Sequence, residues 1–168
     1  MEYRVVYSAR KTISISVNGT DVIVKAPFGT DDETVKKVIA KYSGWIEKAL
    51  NYQKKKQELT QGLTPEDIKR LKKDAKKYLT EKTEYFANIM GLKYSRITIT
   101  AAQKRFGSCS SKGNISYSYR LMLYPEAARE YVVVHELAHL IQMNHSKEFY
   151  AIIERILPDY KRRRRMLK

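Results

Sequence analysis

The chain contains a single cysteine, Cys109, so no internal disulfide can hold it together and its stability has to come from packing. One thiol, and opening residues MEYRVVYSARKTISISV that lack the basic, apolar and small-residue order of a secretory leader, give the expectation of a reducing, cytoplasmic setting. No stretch approaches the ~18 apolar residues that a membrane-spanning helix needs, so no membrane partner is expected. Acidic residues are scarce: 18 Asp+Glu stand against 33 Lys+Arg, a formal charge of +15. Such a field draws in nucleic acid, nucleotides or acidic lipid, yet it equally serves to keep a solvated surface soluble. Net charge alone does not choose between the two. What is present is 43% hydrophobic residues in a chain of 168, enough for one domain or for a compact domain with an appended layer.

Residues 12–17 and 21–25 alternate apolar and polar side chains, and Asn18-Gly19 between them predicts a β-hairpin with one buried face. Residues 2–7 are a candidate preceding strand, and Pro27 and Gly29 close this sheet. Thr30 or Asp31 caps a helix whose apolar positions are Val35, Val38, Ile39, Tyr42, Trp45, Ile46 and Ala49. The polar, Lys/Gln-rich residues 51–62 read as a frayed end or linker. Thr64-Pro65-Glu66-Asp67 starts the next helix, which runs through Ile68, Leu71, Ala75, Tyr78, Leu79, Tyr85 and Phe86 to Gly91. Residues 96–100 alternate as a strand, 107–114 form a Gly/Ser-rich loop, and 115–121 return as a strand. Pro125 opens a helix that carries Val132, Val133 and Val134 forward, and residues 160–168 form a basic tail.

The chemistry lies in His135-Glu136-Leu137-Ala138-His139. Residues four apart on a helix share a face, so both imidazoles can reach one ion. Glu136 is one step round, which sets its carboxylate beside the metal, where a water-activating base is needed. A catalytic zinc site takes three protein ligands and keeps one position open. His145 is six residues further on, about 9 Å along an unbroken helix, too far for nitrogens that each bind one zinc at ~2.0–2.1 Å. The helix is therefore predicted to stop after His139 and the chain to turn back. Asn144 is suited to the left-handed conformation of a helix C-cap, and Ser146 to capping a new helix through Phe149, Ile152, Ile153 and Ile156. The extended H-E-x-x-H-x-x-G-x-x-H pattern shares this spacing but has glycine at the turn; Gln142 stands there instead. Glu148 and Glu154 are the alternative third ligands. A chance H-E-x-x-H leaves its histidines packed or solvated, but this chain has three histidines and all three hold ligand spacing.

These residues, together with Arg105-Phe106-Gly107-Ser108-Cys109-Ser110-Ser111-Lys112-Gly113-Asn114-Ile115, Tyr119-Arg120-Leu121 and Asn144-His145-Ser146-Lys147-Glu148-Phe149, resemble the YgjP-like metallopeptidase family, which is related to the SprT and WLM zinc proteases. The resemblance extends to Ala26-Pro27 and Trp45-Ile46, although its specific motifs are C-terminal. It implies an α+β fold with a zincin-like metallopeptidase core, a small sheet packed on the active-site HExxH helix, and an N-terminal β-rich part. It implies one Zn2+ on His135, His139 and His145, with Glu136 as base. Phe106 departs from the tryptophan usual in the family and lacks its indole N–H. A nucleotide pyrophosphatase activity has also been assigned within the family, which keeps the substrate open.

The chain is thus expected to comprise residues 1–62, strands plus a helix, and residues 63–168, the catalytic part and one compact unit. The expected activity is a zinc-dependent hydrolase, foremost a metallopeptidase in which Glu136 is general base to the attacking water. Tyr119 and Arg120 are candidate oxyanion or substrate contacts, though both fit a structural role in a sheet. Cys109 is read first as a small buried hydrophobe and second as a fourth ligand or redox thiol. The alternatives are a metal-dependent nucleotide pyrophosphohydrolase and a basic nucleic-acid-binding module with a structural metal. The basic surface and C-terminal tail are the candidate nucleic-acid contacts. A structural metal wants four closed ligands and has no use for a base, so Glu136 speaks against the third reading.

Overall fold

A computed structural model describes residues 2–168, the side chain of Lys56 excepted. The fold is α+β, and the chain divides into two compact units, one ending at Gln61 and the other spanning Gly62–Lys168. Among the described residues, no helix is long and apolar enough to cross a membrane.

The first unit is a three-stranded sheet with two helices. Strands β2 (Ser14–Asn18) and β3 (Asp21–Pro27) pair antiparallel, and β1 (Arg4–Ser8) adds parallel to the other edge of β3. The hairpin register ends at Asn18 opposite Asp21, so the turn is Gly19-Thr20 rather than one centred on Asn18. Gly19 takes φ 61°, as the first central residue of a tight hairpin turn often must. Val22, Val24 and Ala26 of β3 are buried at alternate positions, the period of a pleated strand. Val22 and Val24 belong to a cluster with Val35 and Ile39 of helix α1 (Asp32–Lys41) and Ile46 of α2 (Ser43–Glu58). Of the two candidate caps, Asp31 is the one that accepts the Thr34 N–H, at 2.7 Å.

The structure corrects two expectations here. A single helix through Ala49 is instead broken at Tyr42, whose backbone leaves the helical region (φ −106°, ψ 12°). The break lets Ile46 reach the core while Tyr42 and Trp45 stay exposed. The supposed linker is helical to Glu58. Lys, Gln and Glu are good helix formers, and absence of an apolar stripe removes a tertiary anchor without removing that propensity.

The second unit carries the long helix α3 (Pro65–Met90), started by a reciprocal Thr64–Asp67 capping box and ended by Gly91 at φ 65°. A second sheet has the order β4 (Arg96–Thr100), β6 (Asn114–Ser118), β5 (Gly107–Cys109), with β4 parallel and β5 antiparallel to β6. Residues 107–109, expected in a loop, are thus a strand. Small Gly and Ser side chains concealed its alternation. The predicted strand to Leu121 stops at Ser118, because the buried Ser118 hydroxyl donates to the Ala102 carbonyl and accepts from the Arg120 N–H. Residues Tyr119–Leu123 form a 3-10 helix instead. Tyr117, fully buried, shares a hydrogen bond with the Thr83 hydroxyl of α3 at 3.0 Å, so its phenol enters the core satisfied.

Three further helices follow: α4 (Glu126–Ala138), α5 (Lys147–Ile156) and α6 (Tyr160–Arg165). The last corrects the reading of a basic tail, since Tyr160 and Leu167 are buried. Lys82 of α3 bridges Glu126 and Glu130 of α4 at 2.9 and 2.7 Å, and Arg163 of α6 bridges Glu130 and Asp159 at 2.7 and 2.6 Å. This network fixes α4 between its neighbours. Replacing Thr64 by Ala removes the capping box and should cost about 1 kcal/mol, read as a lower urea midpoint by far-UV circular dichroism; an unchanged midpoint would show the cap contributes nothing.

Candidate metal centre

The α4 helix is apolar on most of its surface: Val132, Val133, Val134, Leu137 and Ala138 are all buried. That setting pins the helix and leaves His135 and His139 to project from one side. Regular helix ends at Ala138, where the Leu140 and Ile141 N–H groups bond back to the carbonyls of Leu137 and Ala138, three residues earlier. Such tightening uses up carbonyls that a further helical turn would need.

The chain then reverses without any left-handed residue, since no non-glycine residue described has positive φ. The expectation for Asn144 is corrected accordingly. Its side-chain oxygen instead accepts the Ser146 N–H at 3.2 Å, an Asx turn that bends the chain locally. Ser146 does sit at the N-cap position of α5, but its hydroxyl makes no cap bond and accepts from the Gln142 amide at 3.4 Å.

The reversal brings the His145 ring to 5.0 Å from that of His135 and 4.8 Å from that of His139. One ligand nitrogen from each of the three lies within 4.8 Å of the others. The Nε2 atoms of His135 and His145 are 3.2 Å apart. Two nitrogens that share a tetrahedral zinc at ~2.0–2.1 Å sit roughly 3.3 Å from each other. The donor set therefore fits one such ion. The fully buried Phe149 lies under all three imidazoles, with centroid distances of 4.9, 4.6 and 4.8 Å.

Hydrogen bonds aim the rings. The His139 Nδ1 is 3.1 Å from the Gln142 carbonyl; a carbonyl only accepts, so Nδ1 carries the proton and Nε2 keeps its lone pair for a metal. The Tyr131 hydroxyl is 3.4 Å from the His135 Nδ1. Burial first, and then the charges of His139, His145 and Arg164, push the His135 imidazole down to about 3. His139 is lowered too, chiefly by burial. Both are neutral near pH 7, as metal ligands must be.

Glu136 is buried, 5% exposed, and among the described residues no protein donor bonds its carboxylate. Burial pushes it up to about 8, with the nearby Arg105 pulling the other way. It fits because Gly107 has no side chain: a Cβ there would stand 2.5 Å from Oε1 and 2.7 Å from Cγ of Glu136. The sequence suggested that Gly107 was a turn residue; it is a strand residue on which the carboxylate rests.

Other candidates lie apart. Glu148, Glu154 and Cys109 do not join the histidine group; the Glu148 carboxylate is held by the Ser146 side chain, and burial raises the Cys109 thiol. Tyr119 and Arg120 contact each other, the guanidinium 5.4 Å from the ring centroid, and no hydrogen bond or ring contact among the described residues joins them to the histidines. Tyr131, Gln142, Phe149 and Gly107 escaped sequence reading, since each acts through a contact rather than a motif.

A family model described as YgjP-like, metallopeptidase domain, matches residues 64–168. No curated protein matches the chain. Among solved structures, the metallopeptidase zymogen abylysin of Pyrococcus abyssi is similar at 24% identity, covering 51% of this chain and 87% of its own, with a TM-score of 0.46.

Two outcomes follow from this geometry. Gly107→Ala should displace the Glu136 carboxylate and cut hydrolytic activity at least tenfold with all three imidazoles still able to take up metal; full activity would show that the carboxylate has room to move. Ionising Glu136 opposes folding as pH rises from about 4.5, where the unfolded chain ionises, to about 8, where the folded one does. Glu136→Gln should therefore raise the Tm of metal-free protein by a margin that is small near pH 4.5 and grows towards pH 8. A margin that shrinks with rising pH would contradict the burial cost.

Proposed function

Because the chain belongs to the YgjP-like metallopeptidase family, we propose that it is a zinc-dependent peptidase of zincin-like architecture, with His135, His139 and His145 as ligands and Glu136 as general base. The observation that carries this reading is the convergence of three ligand nitrogens within 4.8 Å, with the buried Glu136 next to His135 in the chain and given no hydrogen-bond donor among the described residues. A zinc ion bound there supplies Lewis acidity, lowering the pKa of water and polarising a carbonyl.

The remaining chemistry belongs to the chain. Glu136 takes the proton from the attacking water and later passes it to the departing amine. Burial raises its proton affinity above that of an ordinary carboxylate, which moves it towards the range where a carboxyl both takes and returns a proton near neutral pH. Phe149, fully buried against all three imidazoles, keeps bulk water from the protein side of the site and sharpens electrostatic interactions there. Gln142 and Tyr131 hold the imidazoles in orientation through their Nδ1 atoms.

One feature favours a polypeptide over a nucleotide. Strand β5 forms one edge of its sheet. Its bonds to β6 pass through Phe106 and Ser110, and Ser108 stands opposite Ser116 between them. By antiparallel alternation, the backbone groups of Gly107 and Cys109 point to the outer edge. An extended peptide could add there as a strand, against the residue that cradles Glu136. A nucleoside triphosphate has no use for such an edge.

Cleavage of an unfolded polypeptide by zinc-loaded protein, with Glu136→Gln as control, tests the reading. The variant should keep stoichiometric zinc and lose at least 100-fold in kcat. Cleavage undiminished by the substitution would remove Glu136 from the mechanism. Hydrolysis of nucleoside triphosphates but not of peptides would favour the phosphohydrolase alternative.

A further inference from the structure

The four consecutive arginines of α6 are not equivalent. Arg162 donates to Asp159 at 2.8 Å, Arg163 to Asp159 and Glu130, and Arg165 to the Lys161 carbonyl. Arg164 is exposed and, among the described residues, makes no hydrogen bond or ion pair. Its guanidinium lies over the Tyr150 ring, 5.9 Å from the centroid. Tyr150 is half-buried and stacks towards His145, with ring centroids 6.3 Å apart. These two contacts in series keep the guanidinium within about 12 Å of the His145 ring. Tyr150 also stacks on Tyr160, and Tyr160 on Tyr131, with centroids 5.9 and 6.5 Å apart, so the guanidinium caps a column of rings that ends beside His135.

From this arrangement we propose that Arg164 recognises substrate by pairing with a carboxylate of the polypeptide, within about three residues of the scissile bond. The proposal rests on the peptidase reading of the neighbouring site. An extended peptide advances ~3.3–3.6 Å per residue, so three residues span the distance from the histidines to the guanidinium. A planar guanidinium pairs with carboxylate through two parallel N–H bonds, and a phenol beneath it limits the entropy lost on pairing. The bland alternative is a solvated cation near a helix C-terminus, favoured by the helix dipole. Against that, α6 is locked on α4 by Arg163 and by buried Tyr160 and Leu167, so Arg164 is presented from a fixed base. The carboxylate can come from a chain terminus or from an Asp or Glu side chain, and the same chemistry serves both.

The test uses the full-length, zinc-loaded Glu136→Gln protein and fluorescent peptides of one sequence. They are prepared amidated and neutral, with a free C-terminal carboxylate, or amidated with one Glu moved along the positions. Binding is read by anisotropy. One carboxylate form should bind about 10- to 100-fold more tightly than the neutral peptide. Arg164→Ala should erase that difference while leaving neutral-peptide binding and zinc content unchanged, and Arg164→Lys should restore only part of it. The form that gains identifies the terminus or the side chain as the source. Equal binding of all peptides, or a preference that survives Arg164→Ala, overturns the proposal. Cleavage by the unsubstituted enzyme separates the two claims: cleavage without an Arg164-dependent preference sinks this proposal alone, and an intact preference without cleavage overturns the peptidase reading and with it the placement relative to a scissile bond, leaving Arg164 a carboxylate contact only. An Arg164-dependent displacement of peptide by a nucleoside triphosphate that binds more tightly than any carboxylate peptide would overturn the substrate class.

Discussion

Three imidazoles stand on one benzene ring. Phe149, fully buried at the start of α5, touches His135 of α4, His139 at the cap of that helix and His145 of the following turn at nearly equal distances. That contact makes the packing of α5 on α4 inseparable from the geometry of the ligand set. Among the described residues, Phe149 is the one ring in contact with all three imidazoles, while Tyr150 stacks towards His145 and the Asn144–Ser146 turn bond bends the chain that carries it. Ring-edge and ring-face contacts of this kind add only about 0.5–1.5 kcal/mol each beyond area burial, yet here three of them converge on one side chain. The result is a cluster of three imidazoles, close enough to share one ion, that is brought together by packing.

The same economy of space governs Glu136. A carboxylate without a bonded donor costs folding free energy when it ionises, and the cost is visible in its elevated pKa. The pocket that imposes this cost exists because position 107 lacks a side chain. Strand β5 is therefore held close to α4 at the one residue where backbone can meet carboxylate. Among the described residues none donates a hydrogen bond to this carboxylate, which is sheltered instead by the backbone of residue 107.

The large positive charge is distributed with purpose at least around the site. Glu126, Glu130 and Asp159 are committed to Lys82, Arg162 and Arg163, tying α3, α4 and α6 together. The pairs that share Glu130 are partly buried on both sides and so differ from isolated surface pairs, whose typical worth is near zero to 1 kcal/mol. They turn the C-terminal arginine run from a mobile tail into a helix with fixed and free members.

Sequence alone determined what short-range physics determines. Capping residues, helical and strand periodicity, and the incompatibility of His139 and His145 on one continuous helix are all properties of neighbours within a few positions. They were sufficient to require a chain reversal near residue 140 and to mark Thr64, Gly91 and residues 96–100 as boundaries. Tertiary structure decided what depends on partners distant in the chain. It made a strand of Gly107–Cys109, broke the first long helix at Tyr42, turned the chain without Asn144 in a left-handed conformation, and folded residues 160–165 against α4. Glycine and serine carry no alternation to betray a strand, and an arginine reads as tail or as anchor according to whether a Glu130 waits opposite it. Such contacts have no local signature, because the free energy that selects them is gained only when the remote surfaces meet.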